Sequence, residues 1–209
     1  MRNKRSFALL LCAAAALFLL ACGCSKGEDV STPSVSGSSS GSQSGDVSAA
    51  EGTASQLGSL KSFTAQTLAG ESFTHEDLAA KDITLINVWA LTCRPCIAEL
   101  PDLAAFAKAL PDNVQMITVC LDGSGNEEIT QSILEQAGFE GATLISGDGD
   151  LAALCGNLIY TPTTLLADSG GNLVGNPIVG IQKDLSASYL AAVNAALTAE
   201  GKAEISLEA

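Results

Sequence analysis

Positive charge is scarce in this sequence of 209 residues, which has 10 Lys and Arg against 23 Asp and Glu and a formal net charge of −13. Contact with the phosphates of nucleic acid requires a basic surface, so the composition argues against nucleic acid as a partner. An anionic membrane surface would repel the chain as well. The acidic balance instead predicts a solvated, acidic face on an exported protein.

Histidine is almost absent, because His75 is the only one in the chain. No second histidine completes a metal shell, and no cysteine or carboxylate stands at a ligand spacing from His75. We therefore predict a capping or surface role for His75 at the start of a short helix. We predict no metal and no other cofactor.

An even cysteine framework is also missing, although the chain has seven cysteines. A small disulfide-stapled domain would space them regularly, which this chain does not do. The cysteines form a group near the start, a close pair, and two isolated residues: Cys12, Cys22 and Cys24; Cys93 and Cys96; Cys120 and Cys155. Each group therefore needs its own explanation.

The first group belongs to residues 1–21, which have the pattern of a signal peptide. Three cations precede an apolar run that is too short to span a membrane comfortably. The run ends in Leu19-Leu20-Ala21-Cys22, which resembles the bacterial lipobox and predicts diacylation of Cys22 and anchoring to the outer face of the cytoplasmic membrane. A plain secretory signal, which leaves Cys22 or Cys24 as a free thiol, is the alternative.

Residues 22–57 are rich in Ser, Gly and Thr and contain almost no large apolar side chain. Such a segment cannot bury enough surface to offset the entropy of ordering it. It predicts a flexible tether. One folded domain follows at 58–202, and we expect residues 203–209 to fray.

The hydrophobic pattern of the folded part predicts strands that alternate with helices. An N-terminal hairpin with its turn near Gly70 precedes an apolar strand at 83–89, and a helix with a buried stripe begins at Cys93. A second hairpin at 163–179 and a helix at 183–198 close the domain. We therefore predict an α/β sandwich with a central mixed sheet flanked by helices.

The close cysteine pair, Cys93-Arg94-Pro95-Cys96, lies where the strand at 83–89 gives way to a helix. The Cys-x-x-Cys spacing serves half a zinc knuckle, an iron–sulfur ligand pair or a redox dithiol. The remaining cysteines and the single histidine do not repeat the spacing that zinc or a cluster needs. The pattern therefore favours a redox dithiol.

The position of the pair predicts different roles for the two thiols. Free N–H groups and the macrodipole at a helix start favour negative charge, and Arg94 adds a cation, so we predict Cys93 as the attacking thiolate. Cys96, one turn further, is placed to attack the mixed disulfide formed at Cys93. Pro95 suits the first turn because its missing N–H would have had no partner there.

Three segments carry a resemblance to a known family: Asn87-Val88-Trp89-Ala90-Leu91-Thr92-Cys93-Arg94-Pro95-Cys96, Glu99-Leu100-Pro101 and Tyr160-Thr161-Pro162-Thr163-Thr164-Leu165. The chain resembles the membrane-tethered thioredoxin-like thiol–disulfide oxidoreductases of the TlpA/ResA type over roughly residues 58–200. The resemblance implies a thioredoxin-like fold with an inserted strand and helix at about 142–155. It also implies that Pro162 is cis and packs against the dithiol, while the Thr161 backbone pairs with the substrate chain.

The resemblance further implies that the partners are thiol- or disulfide-containing proteins and a membrane electron donor or acceptor. We expect a monomer. Arg94 favours an oxidising couple, whereas the family likeness favours a reductant, so the direction of electron flow stays open.

Two positions depart from the family pattern. Thioredoxin itself has a buried aspartate where this chain has Asn87, so the proton of the resolving thiol needs another acceptor. Glu99 is the candidate for this role. The alternative is that Glu99 is an ordinary solvated carboxylate on the surface of the helix. Family members tend to have Trp where Thr92 stands, which implies a different surface around Cys93. Trp89 is predicted to lie in the core.

Cys120 and Cys155 are predicted near the active-site end of the sheet. In an exported protein two such cysteines can form a second disulfide. Two buried apolar thiols are the alternative.

The sequence thus predicts an extracytoplasmic enzyme that exchanges disulfides with protein thiols. A peroxidase of the same fold is one alternative, but it requires Pro-x-x-x-Thr-x-x-Cys, and Thr92 here directly precedes Cys93. A non-catalytic binding or copper-delivery module is the other. Copper carriers of this fold use Cys-x-x-x-Cys and a histidine, which this chain does not match.

Overall fold

A computed structural model describes residues 57–207 of the chain. The described part has seven strands and five helices in the following order: β1 Thr64–Thr67, β2 Ser72–Thr74, α1 His75–Ala79, β3 Ile83–Trp89, α2 Arg94–Lys108, β4 Val114–Cys120, α3 Glu127–Ala137, β5 Thr143–Gly147, α4 Gly149–Asn157, β6 Thr163–Asp168, β7 Leu173–Val179 and α5 Leu185–Ala199. The predictions for residues 1–21, for Cys22 and for nearly all of the tether lie outside the described residues.

The strands form one mixed sheet in the order β2-β1-β5-β4-β3-β6-β7. The central strand β3 runs parallel to β4 and antiparallel to β6. All seven residues of β3 are buried, because strands flank both of its edges and helices cover both faces. This confirms the predicted α/β sandwich with a central mixed sheet.

Side chains of β3 alternate between two apolar cores, one on each face of the sheet. Leu85 and Trp89 lie in the core that α2, α3 and α5 cover. Ile86 and Val88 lie in the core that α1 and α4 cover. Because side chains alternate along a strand, Asn87 faces the first core, towards α2 and α5.

The N-terminal hairpin and the inserted strand and helix are also present. β1 pairs antiparallel with β2 and with the inserted strand β5, so the hairpin joins the main sheet through the insertion. The Asp150 carboxylate in α4 accepts hydrogen bonds from the backbone N–H groups of Lys61 and Ser62, each at 2.8 Å. These bonds fix the insertion against the start of the domain.

His75 is the first residue of α1 and its side chain is exposed, which confirms a surface position. The capping part of its prediction is wrong. The N-cap is Thr74, whose hydroxyl accepts from Glu76 N–H at 3.2 Å, while the Asp77 carboxylate accepts from Thr74 N–H at 2.7 Å. A threonine hydroxyl and a carboxylate three residues later form a capping box, so the imidazole does not cap the helix.

Part of the segment predicted to fray, residues 203–207, is described, and in it Ile205 and Leu207 contact the domain. The Asn194 side chain on α5 donates to the Ile205 carbonyl at 3.0 Å and accepts from the Ile205 N–H at 2.8 Å. Ile205 and Leu207 pack against the core on the α5 side. One side-chain amide therefore satisfies both backbone groups of a residue that follows the last helix.

Candidate active site

The cysteine pair lies at the start of α2, at the carboxyl end of the buried strand β3. Cys93 is the N-cap of the helix, and its Sγ accepts a hydrogen bond from Cys96 N–H at 3.2 Å. A disulfide joins the two residues across a Cα–Cα distance of 5.3 Å. Cys93 is half-buried and Cys96 is buried, so an incoming group reaches the Cys93 sulfur. Arg94 and Pro95 occupy the first turn and are exposed.

A second segment, which immediately precedes β6, reaches the pair. The carbonyl oxygen of Thr161 lies 3.6 Å from Cys93 Sγ. The Thr161–Pro162 peptide bond is cis, as the family resemblance implied. Gly180 N–H donates to the Pro162 carbonyl at 2.8 Å, which ties this segment to the end of β7. The fold therefore brings together backbone and sulfur atoms that are far apart in the sequence.

Beneath the disulfide, the Glu99 carboxylate is buried in the core at 5% exposure. Glu99 is three residues after Cys96 on α2, so both side chains lie on the same inward face of the helix. Asn87 Nδ2 donates to Glu99 Oε1 at 3.3 Å and to Thr164 Oγ1 at 2.9 Å. The Thr164 hydroxyl in turn lies 2.7 Å from the Tyr189 hydroxyl. These four side chains form one buried polar cluster.

The surroundings of Glu99 favour its protonated form. Burial raises the pKa of Glu99 from its ordinary 4.5 to about 7; the Asn87 hydrogen bond opposes this rise and the nearby Asp102 charge adds to it. Two buried oxygens, Glu99 Oε2 and Asn87 Oδ1, have no hydrogen-bond partner within the described part of the chain. The site therefore holds a carboxyl that exchanges its proton near neutral pH.

Sequence reasoning selected Asn87 and Glu99 but missed Thr164 and Tyr189. Thr164 had a signal, because antiparallel pairing of β3 with β6 sets it directly opposite Asn87. Tyr189 had none, because its position depends on how α5 packs onto the sheet. Its ring meets Phe106 of α2 edge-on at a centroid distance of 5.5 Å.

Asp122, also missed, supports the loop that precedes Cys93. Its Oδ1 accepts a hydrogen bond from Leu91 N–H at 2.8 Å and lies 3.5 Å from the Cys120 sulfur. Burial, with the Asp122 charge as the second cause, raises the pKa of the Cys120 thiol to about 12. Cys120 is therefore a protonated thiol and differs chemically from a redox cysteine.

The predicted second disulfide between Cys120 and Cys155 is absent, since both are free thiols. Cys120 lies in the core that α2 and α5 cover, whereas Cys155 packs against the core on the opposite face. The sheet separates the two sulfurs. Cys120 is buried, as the alternative of two apolar thiols expected, but Cys155 is only partly buried.

Trp89 is fully buried, which confirms the prediction of a core position, and Thr92 is exposed beside Cys93. Within residues 57–207, no three His, Cys, Asp or Glu side chains are grouped so that they could hold a metal ion. No helix of that same range is long and apolar enough to cross a membrane.

The mixed sheet, the cysteine pair at the start of α2 and the facing cis-proline segment define a thioredoxin-like thiol–disulfide oxidoreductase. The model of the AhpC/TSA family matches residues 58–176, more than half of the sequence. The chain therefore belongs to the AhpC/TSA family.

Comparisons with known proteins agree with this class. The chain is 27% identical over 110 residues to the thioredoxin-like protein YneN of Bacillus subtilis; the match covers 52% of this chain and 63% of that protein. The structure resembles Mycobacterium tuberculosis DsbF, solved in mixed oxidised and reduced forms, with a TM-score of 0.54 and 25% identity over 66% of this chain and 96% of that one.

A thioredoxin-family thiol:disulfide interchange protein of Chlorobium tepidum is similar with a TM-score of 0.53 and 21% identity, covering 65% of this chain and 95% of that one. The exposed lipoprotein thioredoxin Etrx1 of Streptococcus pneumoniae gives a TM-score of 0.50 and 21% identity, covering 60% and 94%. These two likenesses show the fold.

Proposed function

We propose that this protein exchanges disulfides with cysteine-containing protein substrates outside the cytoplasmic membrane, with Cys93 as the attacking and Cys96 as the resolving thiol. One observation carries the proposal. The accessible Cys93 sulfur caps α2 and faces the Thr161 carbonyl at 3.6 Å, while Cys96 is buried behind it. A thiolate at a helix N-terminus next to open backbone is arranged to react with a sulfur on an extended chain.

In the reducing direction, the Cys93 thiolate attacks one sulfur of a substrate disulfide. The substrate S–S bond breaks, and its second sulfur leaves as a thiolate that takes up a proton. The Cys96 thiolate then attacks Cys93 Sγ, and the substrate sulfur leaves. The Cys93–Cys96 disulfide forms, and two electrons have passed from the dithiol to the substrate. The oxidising direction reverses these steps.

Cys96 must lose its proton before it attacks, and Glu99 is the group we propose to take it. The Glu99 carboxyl lies one helical turn from Cys96 on the same buried face. Burial raises the pKa of Glu99 to about 7, so this carboxyl can take up and release a proton near neutral pH. Asn87 cannot take this role because an amide does not titrate.

The substrate chain is proposed to pair with the Thr161 backbone, next to Pro162. The carbonyl of Thr161 faces Cys93, so a substrate strand paired there would bring its cysteine to Cys93 Sγ. Thr92 and Arg94 are exposed beside the sulfur and would contact such a chain. They are the residues we expect to influence partner choice.

The extracytoplasmic setting rests on the sequence of residues 1–57. A signal peptide at 1–21, a lipid on Cys22 and a tether up to residue 57 would anchor the domain as a monomer outside the membrane. A membrane electron donor or acceptor is the redox partner that this setting favours. Etrx1, which shares the fold, is described as an exposed lipoprotein.

A disulfide-reduction assay with insulin and dithiothreitol tests the redox function. Cys93→Ser should lose nearly all activity, and Cys96→Ser should accumulate a mixed disulfide with substrate because the resolving thiol is missing. Cys155→Ser is the matched control, since that thiol is also partly buried but packs on the opposite face. Equal activity in wild type and Cys93→Ser would refute the proposal.

The match to the AhpC/TSA family supports testing the peroxidase alternative directly. A peroxidase would consume hydrogen peroxide in a reaction that requires Cys93. Thr92 adjoins Cys93 and is exposed, so the arrangement that peroxiredoxins require is not met here. We expect no difference in peroxide consumption between wild type and Cys93→Ser; rapid consumption by wild type alone would favour the peroxidase.

A further inference from the structure

Four large apolar side chains next to the Thr161–Pro162 segment are exposed to solvent. Ile159 and Tyr160 directly precede the segment, and 83% and 66% of their surfaces are exposed. Val179 ends β7 and Ile181 follows it, with 52% and 61% exposed. We call these four side chains the apolar patch. A folded domain buries most side chains of this size, so a group of four in one place indicates a contact surface.

Hydrogen bonds join the two segments that form the apolar patch. Val179 pairs with Thr163 across the sheet, and Gly180 N–H donates to the Pro162 carbonyl at 2.8 Å. The Thr163 hydroxyl donates to the Tyr160 carbonyl, also at 2.8 Å. The backbone that carries the patch is therefore fixed before a partner arrives, which lowers the entropy lost on binding.

The apolar patch lies in uncharged parts of an acidic chain. Segments 158–167 and 173–182 contain no Lys, Arg, Asp or Glu, although the whole chain has a net charge of −13. A charged side chain placed against these segments would lose water and gain no ion partner from them, which is unfavourable. The patch therefore suits apolar side chains of a partner.

The reaction at Cys93 decides what covers the patch. The Thr161 carbonyl lies 3.6 Å from Cys93 Sγ, and Tyr160 and Ile159 are one and two residues from Thr161. Two residues of extended chain cover at most about 7 Å. A substrate whose sulfur bonds to Cys93 therefore places the neighbours of its own cysteine against the patch.

We propose that the apolar patch selects protein substrates in which large apolar side chains lie within two or three residues of the reacting cysteine. This inference rests on the proposed function and deepens it, because it names the class of substrate segment. Segments of this composition are buried once a protein has folded. The substrates are therefore chains that have not completed folding, and they bind in an extended form.

The test uses the full chain, reduced and then freed of reductant, in phosphatidylcholine nanodiscs. Its substrates are two symmetric disulfide dimers of short peptides, each peptide with one central cysteine and a lysine at both ends. Two leucines flank the cysteine on each side in one dimer, and two serines in the other. In each turnover the Cys93–Cys96 disulfide forms and one dimer is reduced to two thiols. Each rate is divided by the rate with dithiothreitol, which removes differences in the reactivity of the two dimers.

Wild type should reduce the leucine dimer about tenfold faster than the serine dimer, because partial burial of large apolar side chains contributes a factor of this order. Tyr160→Ser and Ile181→Ser, one from each segment, should each lower this ratio by roughly a factor of three or more. Ile129→Ser is the matched control and should retain the wild-type ratio. Ile129 is 54% exposed, but it lies on α3, which follows β4, and β4 flanks β3 opposite β6.

Equal normalised rates for the two dimers with wild type would overturn the inference. An equal fall of the ratio in Ile129→Ser would also overturn it, because exposed apolar surface in general would then explain the preference. Slower reduction of insulin by Tyr160→Ser with an unchanged peptide ratio would assign the patch to a folded partner instead. A wild-type dimer in sedimentation that Tyr160→Ser abolishes, again with an unchanged ratio, would assign it to a second copy of the chain.

The same assay separates this inference from the proposed function. If wild type reduces both peptide dimers equally and Cys93→Ser reduces neither, the redox function holds and only the inference fails. If Cys93→Ser reduces the dimers as wild type does, the proposed function itself fails.

Discussion

Replacement of Glu99 by Gln should remove a pH dependence of folding stability that this one carboxyl creates. Gln has nearly the same shape, accepts the same hydrogen bond from Asn87 and cannot ionise. In the unfolded chain the carboxyl has an ordinary pKa of 4.5, whereas burial raises the folded value to about 7. The perturbation therefore separates the cost of the buried charge from the packing of the side chain.

Whether stability rises or falls with pH depends on which state, folded or unfolded, binds the Glu99 proton more tightly. Between pH 4.5 and about 7 the unfolded chain has released the Glu99 proton while the folded protein still retains it. Raising the pH through this window therefore favours unfolding, and the loss levels off above pH 7. At about 1.4 kcal/mol per pKa unit, the free energy of unfolding of the wild type should fall by about 3 kcal/mol across the window.

Denaturant unfolding of the oxidised protein at pH 5 and pH 8 measures this difference. Wild type should lose about 2.5 kcal/mol more between these two pH values than Glu99→Gln does, because pH 5 already lies inside the window. The variant should therefore be the more stable protein at pH 8. Asp102→Asn is a matched control on the exposed side of α2, since it removes a nearby charge but keeps Glu99. Asp102→Asn should only partly reduce the loss of unfolding free energy between pH 5 and pH 8. The same pH dependence in wild type and Glu99→Gln would refute the reasoning.

Three further predictions concern the site and its setting. Asn87→Asp places a second carboxylate within 3.3 Å of Glu99, so the pair should hold one proton to a higher pH than wild type; an unchanged carboxyl NMR midpoint would contradict this. Asp122→Ala should lower the free energy of unfolding by about 1–2 kcal/mol, because Leu91 N–H loses its acceptor. Asp122→Asn keeps an oxygen at that position and should lower it less. Equal losses in the two variants, measured by denaturant unfolding, would exclude the hydrogen bond as the cause. Cys22→Ser should release the protein from the membrane fraction, and unchanged fractionation and mobility would rule out the lipid anchor.

Local sequence determined most of the secondary structure. The strand Ile83–Trp89 was predictable to the residue, since an apolar run of that length indicates a strand covered on both faces. The helix after Cys93 was equally clear, because its apolar residues recur at helical spacing. The fold family followed from short segments around Cys93 and Pro162, where backbone geometry and chemistry depend on residue types that are neighbours in the chain.

Contacts between distant residues were decided by the tertiary structure alone. Cys120 and Cys155 both follow patterns that place them near one end of the sheet, yet they lie on opposite faces. The face of the sheet on which each cysteine lies depends on how its own element, β4 for Cys120 and α4 for Cys155, packs in the fold. The docked Ile205 is a similar case, because its partner Asn194 lies eleven residues earlier on the surface of α5.

The active site shows the same division. The sequence by itself determined that Cys93 and Cys96 sit at a helix start, because strand and helix patterns meet there. It did not reveal that Glu99 is buried or that Tyr189 completes its hydrogen-bond chain. Burial sets the proton affinity of Glu99, and burial results from packing α2 and α5 against the sheet. Local patterns therefore identified the reacting sulfurs, whereas the surroundings that would control their protons arise only when remote segments enclose a common, water-excluding space.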